Sequence, residues 1–287
     1  MTEPRKSNLT IRILSSLVMI PLVLGITYLG GPYFNGFVVM AVVVMAWEWR
    51  RIVSGGRFGY QGLVLVAGMV TAVFAASLGA YLNAILVCGV IGVFFFAMTE
   101  IRRLMSGLPL HSEEMDKAVH PVNNLWMGAG AVYIGIPSLS LIWIRNDWDN
   151  GFTAVIWLLV LVWAADSGAY AAGRLIGGPK LAPKISPNKT WAGLGGCIVS
   201  AAFAGGIVAH WTGFDEIYKI AAVSAFIGLV SQGGDLVESA FKRHFDVKDS
   251  SNLIPGHGGL LDRVDALLAA IVAAALINLV DKGALMS

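Results

Sequence analysis

The chain has 287 residues, 56% of them hydrophobic and only 13% charged, where an ordinary soluble domain carries about 25% charged residues. With a mean hydropathy of +0.72 it has too little charge to cover a water-facing surface of its size, which excludes a soluble globular protein and points to lipid as the solvent. The formal net charge of +2 argues against a nucleic-acid partner, and Cys88 and Cys197, each inside an apolar run with no Cys-x-x-Cys or Cys/His spacing, read as small buried hydrophobes that provide neither a disulfide framework nor a zinc site.

A membrane helix needs about 20 mostly apolar residues. Nine candidates follow one another along the chain, at 13–30, 35–49, 61–79, 82–99, 125–144, 152–172, 191–210, 218–240 and 260–280. The second is short, and the sixth, eighth and ninth contain ionisable groups. The first apolar run is longer than a signal-peptide core and ends at Gly30-Gly31-Pro32 without a small-x-small exit, so a retained first helix is expected. With the N-terminus inside, the inner segments hold Arg5, Lys6 and Arg12; Arg50, Arg51 and Arg57; Arg102, Arg103 and Lys117; Arg174, Lys180, Lys184 and Lys189; and Lys242, Arg243, Lys248 and Arg263. Those are 17 of the 20 Lys and Arg residues, and only Arg145, Lys219 and Lys282 fall outside. Such a bias orients the chain with its N-terminus in the cytosol. The fold class expected is therefore all-α, a polytopic membrane helical bundle of about nine spans. Residues 1–120 would form four N-terminal spans with cytosolic loops, and residues 121–287 a C-terminal catalytic region of about five spans.

Ionisable side chains near membrane depth are expensive and are functional candidates by default. The first half offers few. Glu48 and Glu100 stand at span ends and read as interfacial anchors or partners of nearby arginines. The stretch 108–121, with Glu113, Glu114, Asp116, Lys117, His111 and His120, reads as a solvated loop or surface helix.

The second half differs. Asp166, Tyr170 and Arg174 recur every four residues and so line one helix face, with Gly168 and Gly173 permitting close helix approach. A structural Asp–Arg tether is the alternative for Asp166. From Gly177 to Trp191, three prolines and two glycines deny a regular helix, while Lys180, Lys184, Lys189, Ser186 and Thr190 make the segment basic and hydroxyl-bearing. It feeds a helix starting near Thr190, and helix N-termini favour anions. Phosphate binding is one reading, and anchoring to anionic lipid head groups the other. Asp235, Glu238, Ser239 and Lys242 fall at i, i+3, i+4 and i+7, on one polar helix face. Asp262 and Asp265 are one turn apart at the start of the last span, where carboxylates can hold a divalent cation. His257, between Gly256 and Gly258, sits in a tight turn and is either structural or ligand-facing. Acids alone would suit a cation transporter and basic residues alone a lipid anchor; the combination suits metal-assisted handling of phosphates.

The run Ser239, Lys242-Arg243, Lys248-Asp249, Pro255-Gly256-His257-Gly258-Gly259, Asp262-Arg263-Val264-Asp265 resembles the signature of the CDP-diacylglycerol synthase (phosphatidate cytidylyltransferase) family. The upstream Asp166-Ser-Gly-Ala-Tyr170 and the stretch from Lys180 through Ser186-Pro187, Lys189-Thr190-Trp191 are similar to that family's other blocks, so the resemblance spans 163–266. Ala192 stands where many members have Glu, and Ala266 where many have a small hydroxyl residue.

The resemblance implies a Mg²⁺-dependent reaction of CTP with phosphatidic acid that gives CDP-diacylglycerol and pyrophosphate, at the cytosolic face of a bacterial inner membrane. It also implies room for a second, monovalent cation such as K⁺, and a homodimer. The residues expected at the chemistry are Asp235, Lys242, Asp262 and Asp265. Asp235 and Asp262 would hold metal, with Asp265 and Glu238 in support. Lys189, Arg243 and Arg263, with Lys242, would meet phosphates, and Ser186 and Ser239 would donate hydrogen bonds. Asp166, Lys180, Thr190 and His257 complete the substrate-binding set. Two alternatives stand beside this reading: a CTP-dependent lipid-alcohol (polyprenol-type) kinase, which would release CDP, and a cation or phospholipid transporter, which would need its acids near mid-membrane.

Overall fold

The structure, a computed structural model, describes residues 5–56, 59–106, 124–281 and 285, with side chains from residue 15 onward except at 102, 103 and 106. The region 108–121, read above as a loop or surface helix, lies outside the described residues.

Among the described residues there are nine helices: α1 (Arg5–Leu29), α2 (Gly31–Val53), α3 (Gly59–Ser77), α4 (Tyr81–Ser106), α5 (Asn124–Asp147), α6 (Gly151–Leu175), α7 (Trp191–Thr212), α8 (Ile217–His244) and α9 (Leu261–Val280). Each apolar segment found in the sequence falls on one of them. Seven helices, α3 to α9, are long and apolar enough to cross a membrane; α1 adds a shorter apolar stretch, Ser15–Leu29. The apolar run of α2 closes on Glu48, Arg50 and Arg51. The protein is thus a polytopic helical membrane protein.

The proline- and glycine-rich segment after α6 is more ordered than a loop. It forms a small antiparallel hairpin of β1 (Lys180–Ala182) and β2 (Ser186–Thr190), with Lys180 opposite Thr190 and Ala182 opposite Ser186. The prolines that exclude a helix here are tolerated because a two-stranded ribbon is all edge. Entry to the hairpin is set by Gly177, whose φ of 69° terminates α6 in a conformation that only glycine adopts cheaply.

The chain divides into two compact units, one made of residues 1–20, 31–142 and 249–262, the other of 21–30, 143–248 and 263–287. In the first, α2 packs on α3 and α3 on α4. The buried Trp49 indole donates to the Trp126 carbonyl (2.7 Å), and its ring fills the space a side chain at 130 would need, so Gly130 is obligatory there. In the second unit, α6 packs on α7 and α7 on α8. Small residues make this possible: a Cβ at Gly196 would strike Ala172 and the Gly168 carbonyl, and one at Gly228 would lie 2.6 Å from the Ala201 methyl. Within lipid, where helix association gains little from the hydrophobic effect, such close backbone approach supplies the packing. Trp157, fully buried, donates its indole N–H to Ser224 Oγ (2.9 Å), which in turn donates to the Ile220 carbonyl (2.7 Å), so no polar atom of that pair is stranded.

Candidate active site

The second unit gathers most of the charged residues that the sequence singled out. Thr190, buried at the end of β2, is the N-cap of α7; its hydroxyl accepts from the Gly193 N–H at 3.0 Å. That cap fixes the hairpin to the helix and sets the position of Lys189, one residue earlier. The Lys189 ammonium lies 2.8 Å from Asp235 Oδ2 and donates to the Gln232 carbonyl (3.3 Å), both on α8. Gln232 Nε2 donates to Asp166 Oδ1 on α6 (3.2 Å). Asp166 therefore meets a glutamine across the unit, while Arg174 turns to the Tyr170 hydroxyl (2.6 Å); the Asp–Arg tether does not form.

Along α8, the i, i+4 geometry expected from the sequence is present: Ser239 Oγ donates to Asp235 Oδ1 (3.2 Å), and Lys242 pairs with Glu238 at 2.6 Å. The Glu238 carboxylate is almost wholly buried, with 1% of its side chain exposed, so its lysine is the charge that makes it tolerable there. At Gly234 the start of α9 comes close: a Cβ there would sit 2.6 Å from the Ala269 methyl and 2.9 Å from the Asp265 carbonyl oxygen. Glycine at 234 thus lets Asp235 and Asp265 approach. Asp166 feels the charges of Asp235, Lys189 and Arg263, and Asp265 those of Asp235, Lys242 and Asp166. Three carboxylates and three cations on α6, β2, α8 and α9 thereby form one electrostatic cluster.

The remaining predicted residues are placed differently. Lys180 and Arg243 are exposed, and Ser186 opens β2 half-buried. The Arg243 guanidinium donates to the Val247 carbonyl at 3.4 Å. In the first unit, Asp262 directs Oδ2 to three donors: the Ser250 N–H (2.9 Å), the Ser250 hydroxyl (3.0 Å) and the Gly259 N–H (2.8 Å). His257, half-buried, lies in the turn these bonds close, its N–H donated to the Ile254 carbonyl (2.9 Å). Gly258 in that turn has φ 87° and faces the Asp262 carboxylate.

Sequence reasoning missed three participants. Gln232 links Lys189 to Asp166, Ser250 holds Asp262, and Glu48 is fully buried against the segment before α9. Glu48 is therefore neither an interfacial anchor nor an arginine partner: its oxygens accept from Ser251 Oγ and from the N–H groups of Leu260 and Leu261. Nothing in the local pattern marks a contact made across 213 positions.

Among the described residues, no three His, Cys, Asp or Glu side chains converge tightly enough to hold a metal ion by themselves. A magnesium ion asks for less, one or two carboxylates completed by water and substrate phosphates. Asp235 and Asp265, oxygen donors brought near one another at Gly234, fit that requirement.

Comparison with known proteins identifies the family. The model of the cytidylyltransferase family matches residues 10–280. A phosphatidate cytidylyltransferase of Brucella suis is 36% identical over 92% of this chain and 91% of its own. Those of Pseudomonas aeruginosa and Haemophilus influenzae are 35% and 32% identical, each over 91% of this chain and 93% and 95% of their own lengths. Since the match runs through all nine described helices as well as the signature after Ser239, the chain belongs to the cytidylyltransferase family.

Proposed function

We infer that the protein is a phosphatidate cytidylyltransferase, which converts CTP and phosphatidate to CDP-diacylglycerol and pyrophosphate. The observation that carries this reading furthest is the cluster of Lys189, Lys242 and Arg263 among Asp166, Asp235 and Asp265. The reaction joins two anions. A phosphate oxygen of phosphatidate attacks the α-phosphorus of CTP, the bond from that phosphorus to the bridging oxygen breaks, and pyrophosphate leaves with the electron pair. The second phosphate ionisation lies near pH 6, so the nucleophile is already charged and needs no strong base. The remaining task is to hold two like-charged groups in line and offset the charge that develops. Lys189 and Lys242, on different elements and each pinned by a carboxylate, would orient phosphates, and Arg263 at the start of α9 would add a third cation.

Asp235 and Asp265 are the pair we assign to Mg²⁺, which when bound would neutralise phosphate charge. Asp262 and Glu238 remain assigned to the metal set; the former closes its turn through Ser250 and Gly259, and the latter holds Lys242. Asp166, through Gln232, orients the loop lysine. Lys180, Ser186, Thr190, Ser239, Arg243 and His257 remain assigned to substrate binding. We place the catalytic chemistry in residues 121–287, with nine spans in a bacterial inner membrane and the site on the cytosolic side, where the lysines and arginines concentrate. A homodimer and a second, monovalent cation complete the proposal.

The test is to incubate the purified protein in detergent with CTP, phosphatidate and Mg²⁺ and to identify both products. Pyrophosphate with CDP-diacylglycerol, lost on chelation or in Asp235→Asn, supports the assignment. CDP with a newly phosphorylated lipid would replace it by the lipid-kinase reading, and nucleotide-independent flux of ions or lipid by the transporter reading.

A further inference from the structure

Glu48 sits in the apolar run Ala46-Trp47-Glu48-Trp49 and is 0% exposed. A carboxylate in such a place persists only when its oxygens are hydrogen-bonded. Its donors are Ser251 Oγ (2.6 Å) and Leu260 N–H (2.9 Å) to Oε1, and Leu261 N–H (2.8 Å) to Oε2. Leu261 is the first residue of α9 and Leu260 the one before it. Their N–H groups have no acceptor in their own helix, and the helix dipole favours a negative charge there. Glu48 is thus an N-terminal cap for α9 supplied from α2.

The same turn is held a second time from within. Asp262, the next residue, draws Ser250 and Gly259 to its Oδ2. Gly259 lies between the two carboxylates: a Cβ there would strike Ser250 Oγ and Glu48, with the Glu48 carboxyl carbon at 2.7 Å. Glycine at 259, the last of the Gly-His-Gly-Gly turn, is therefore required by the approach of Glu48 and Ser250. Because Ser251, Leu260 and Leu261 spend their donors on Glu48, the register of the first turn of α9 depends on a residue far outside the signature.

We propose that Glu48 is a positioning residue for the cytidylyl transfer: it fixes the start of α9, the helix whose first residues include Asp262, Arg263 and Asp265. It touches neither substrate nor reacting atoms and acts through the turn it caps. The proposal rests on the reading of those acids and of Arg263 given under Proposed function.

The test uses the full-length protein in detergent with Glu48→Ala, the isosteric Glu48→Gln and Ser251→Ala. Glu48→Ala should speed amide hydrogen exchange in the 249–261 segment by about tenfold or more, the worth of one hydrogen bond to a charged group, while exchange in α6 and α7 stays as in the parent. It should also raise the Mg²⁺ concentration giving half-maximal activity by about tenfold, on the same scale. A mere loss of folded molecules would lower the plateau and leave that concentration unchanged. Glu48→Gln keeps one acceptor oxygen and should fall between parent and Glu48→Ala. Ser251→Ala, which removes one donor, should shift both readouts in the same direction by less and serves if Glu48→Ala does not fold. Faster exchange with an unchanged Mg²⁺ requirement would reduce Glu48 to a structural cap and overturn the proposal, as would unchanged exchange. If the parent itself forms no CDP-diacylglycerol, the functional reading fails instead, and the exchange comparison still reports on the cap.

Discussion

Gly234→Ala tests whether the approach of α8 to the start of α9 sets the reactive geometry. The added methyl would lie 2.6 Å from the Ala269 methyl and 2.9 Å from the Asp265 carbonyl oxygen. Neither neighbour is the end of a flexible side chain, so the helices must part. Restoring an ordinary carbon–carbon separation of about 3.5–4.0 Å requires roughly 1 Å of movement. Asp235, the next residue, is carried away from Asp265 by a similar amount. Misplacement of about 1 Å at a reacting centre is worth about 100-fold in rate, and overpacking of this kind destabilises by about 1–3 kcal/mol. The assay is kcat for CDP-diacylglycerol formation beside the thermal midpoint in detergent. Adding Ala269→Gly removes the closer contact and leaves the carbonyl contact, so the double variant should recover part of both losses. Parent-like kcat with a parent-like midpoint in Gly234→Ala would refute the idea that this contact positions the carboxylates. A lowered midpoint with full kcat would keep the packing and remove its link to catalysis.

Lys189→Ala deprives Asp235 of a cation at 2.8 Å and, on the proposed role, removes a phosphate contact; kcat/KM for CTP is expected to fall by about 100-fold or more, and unchanged turnover and CTP affinity would sink the role given to the hairpin. Asp262→Asn retains an oxygen able to face Ser250 and Gly259, whereas Asp262→Ala removes it; the alanine variant should lose more thermal stability, and near-normal turnover with normal Mg²⁺ dependence in the asparagine variant would confine Asp262 to closing the turn. Thr190→Ala removes the cap on Gly193 and should lower stability by about 1 kcal/mol, with Thr190→Ser close to parent; equal midpoints for all three would show that the cap does not hold the hairpin to α7.

Much of this protein is local enough to be read directly. The apolar runs had to become helices because lipid leaves backbone N–H and C=O groups no other partner than the chain itself. The face shared by Asp235, Glu238, Ser239 and Lys242 follows from helical periodicity alone, and Ser239–Asp235 and Lys242–Glu238 do meet at i, i+4. Thr190 could be named as a helix start because a hydroxyl after a proline-rich stretch and before an apolar run has few other uses. The hairpin was harder: prolines and glycines exclude a helix without saying that Lys180 and Thr190 will pair.

What lay beyond the sequence was which distant residues would meet. Asp166 was consistent with Arg174, eight positions away, and with a partner elsewhere; the packing of α6 near α8 gave it Gln232, 66 positions on. Glu48 carried no local signal, since its three donors come from beyond residue 250. Composition, periodicity and the spacing of the signature determine a membrane-embedded helical enzyme and its set of charged residues, because hydropathy and helical repeat act over a few turns. Which carboxylate caps a helix, which pairs with a lysine and which is left to approach a neighbour was decided only when the helices packed, because those choices depend on backbone separations that small residues such as Gly234 and Gly259 permit.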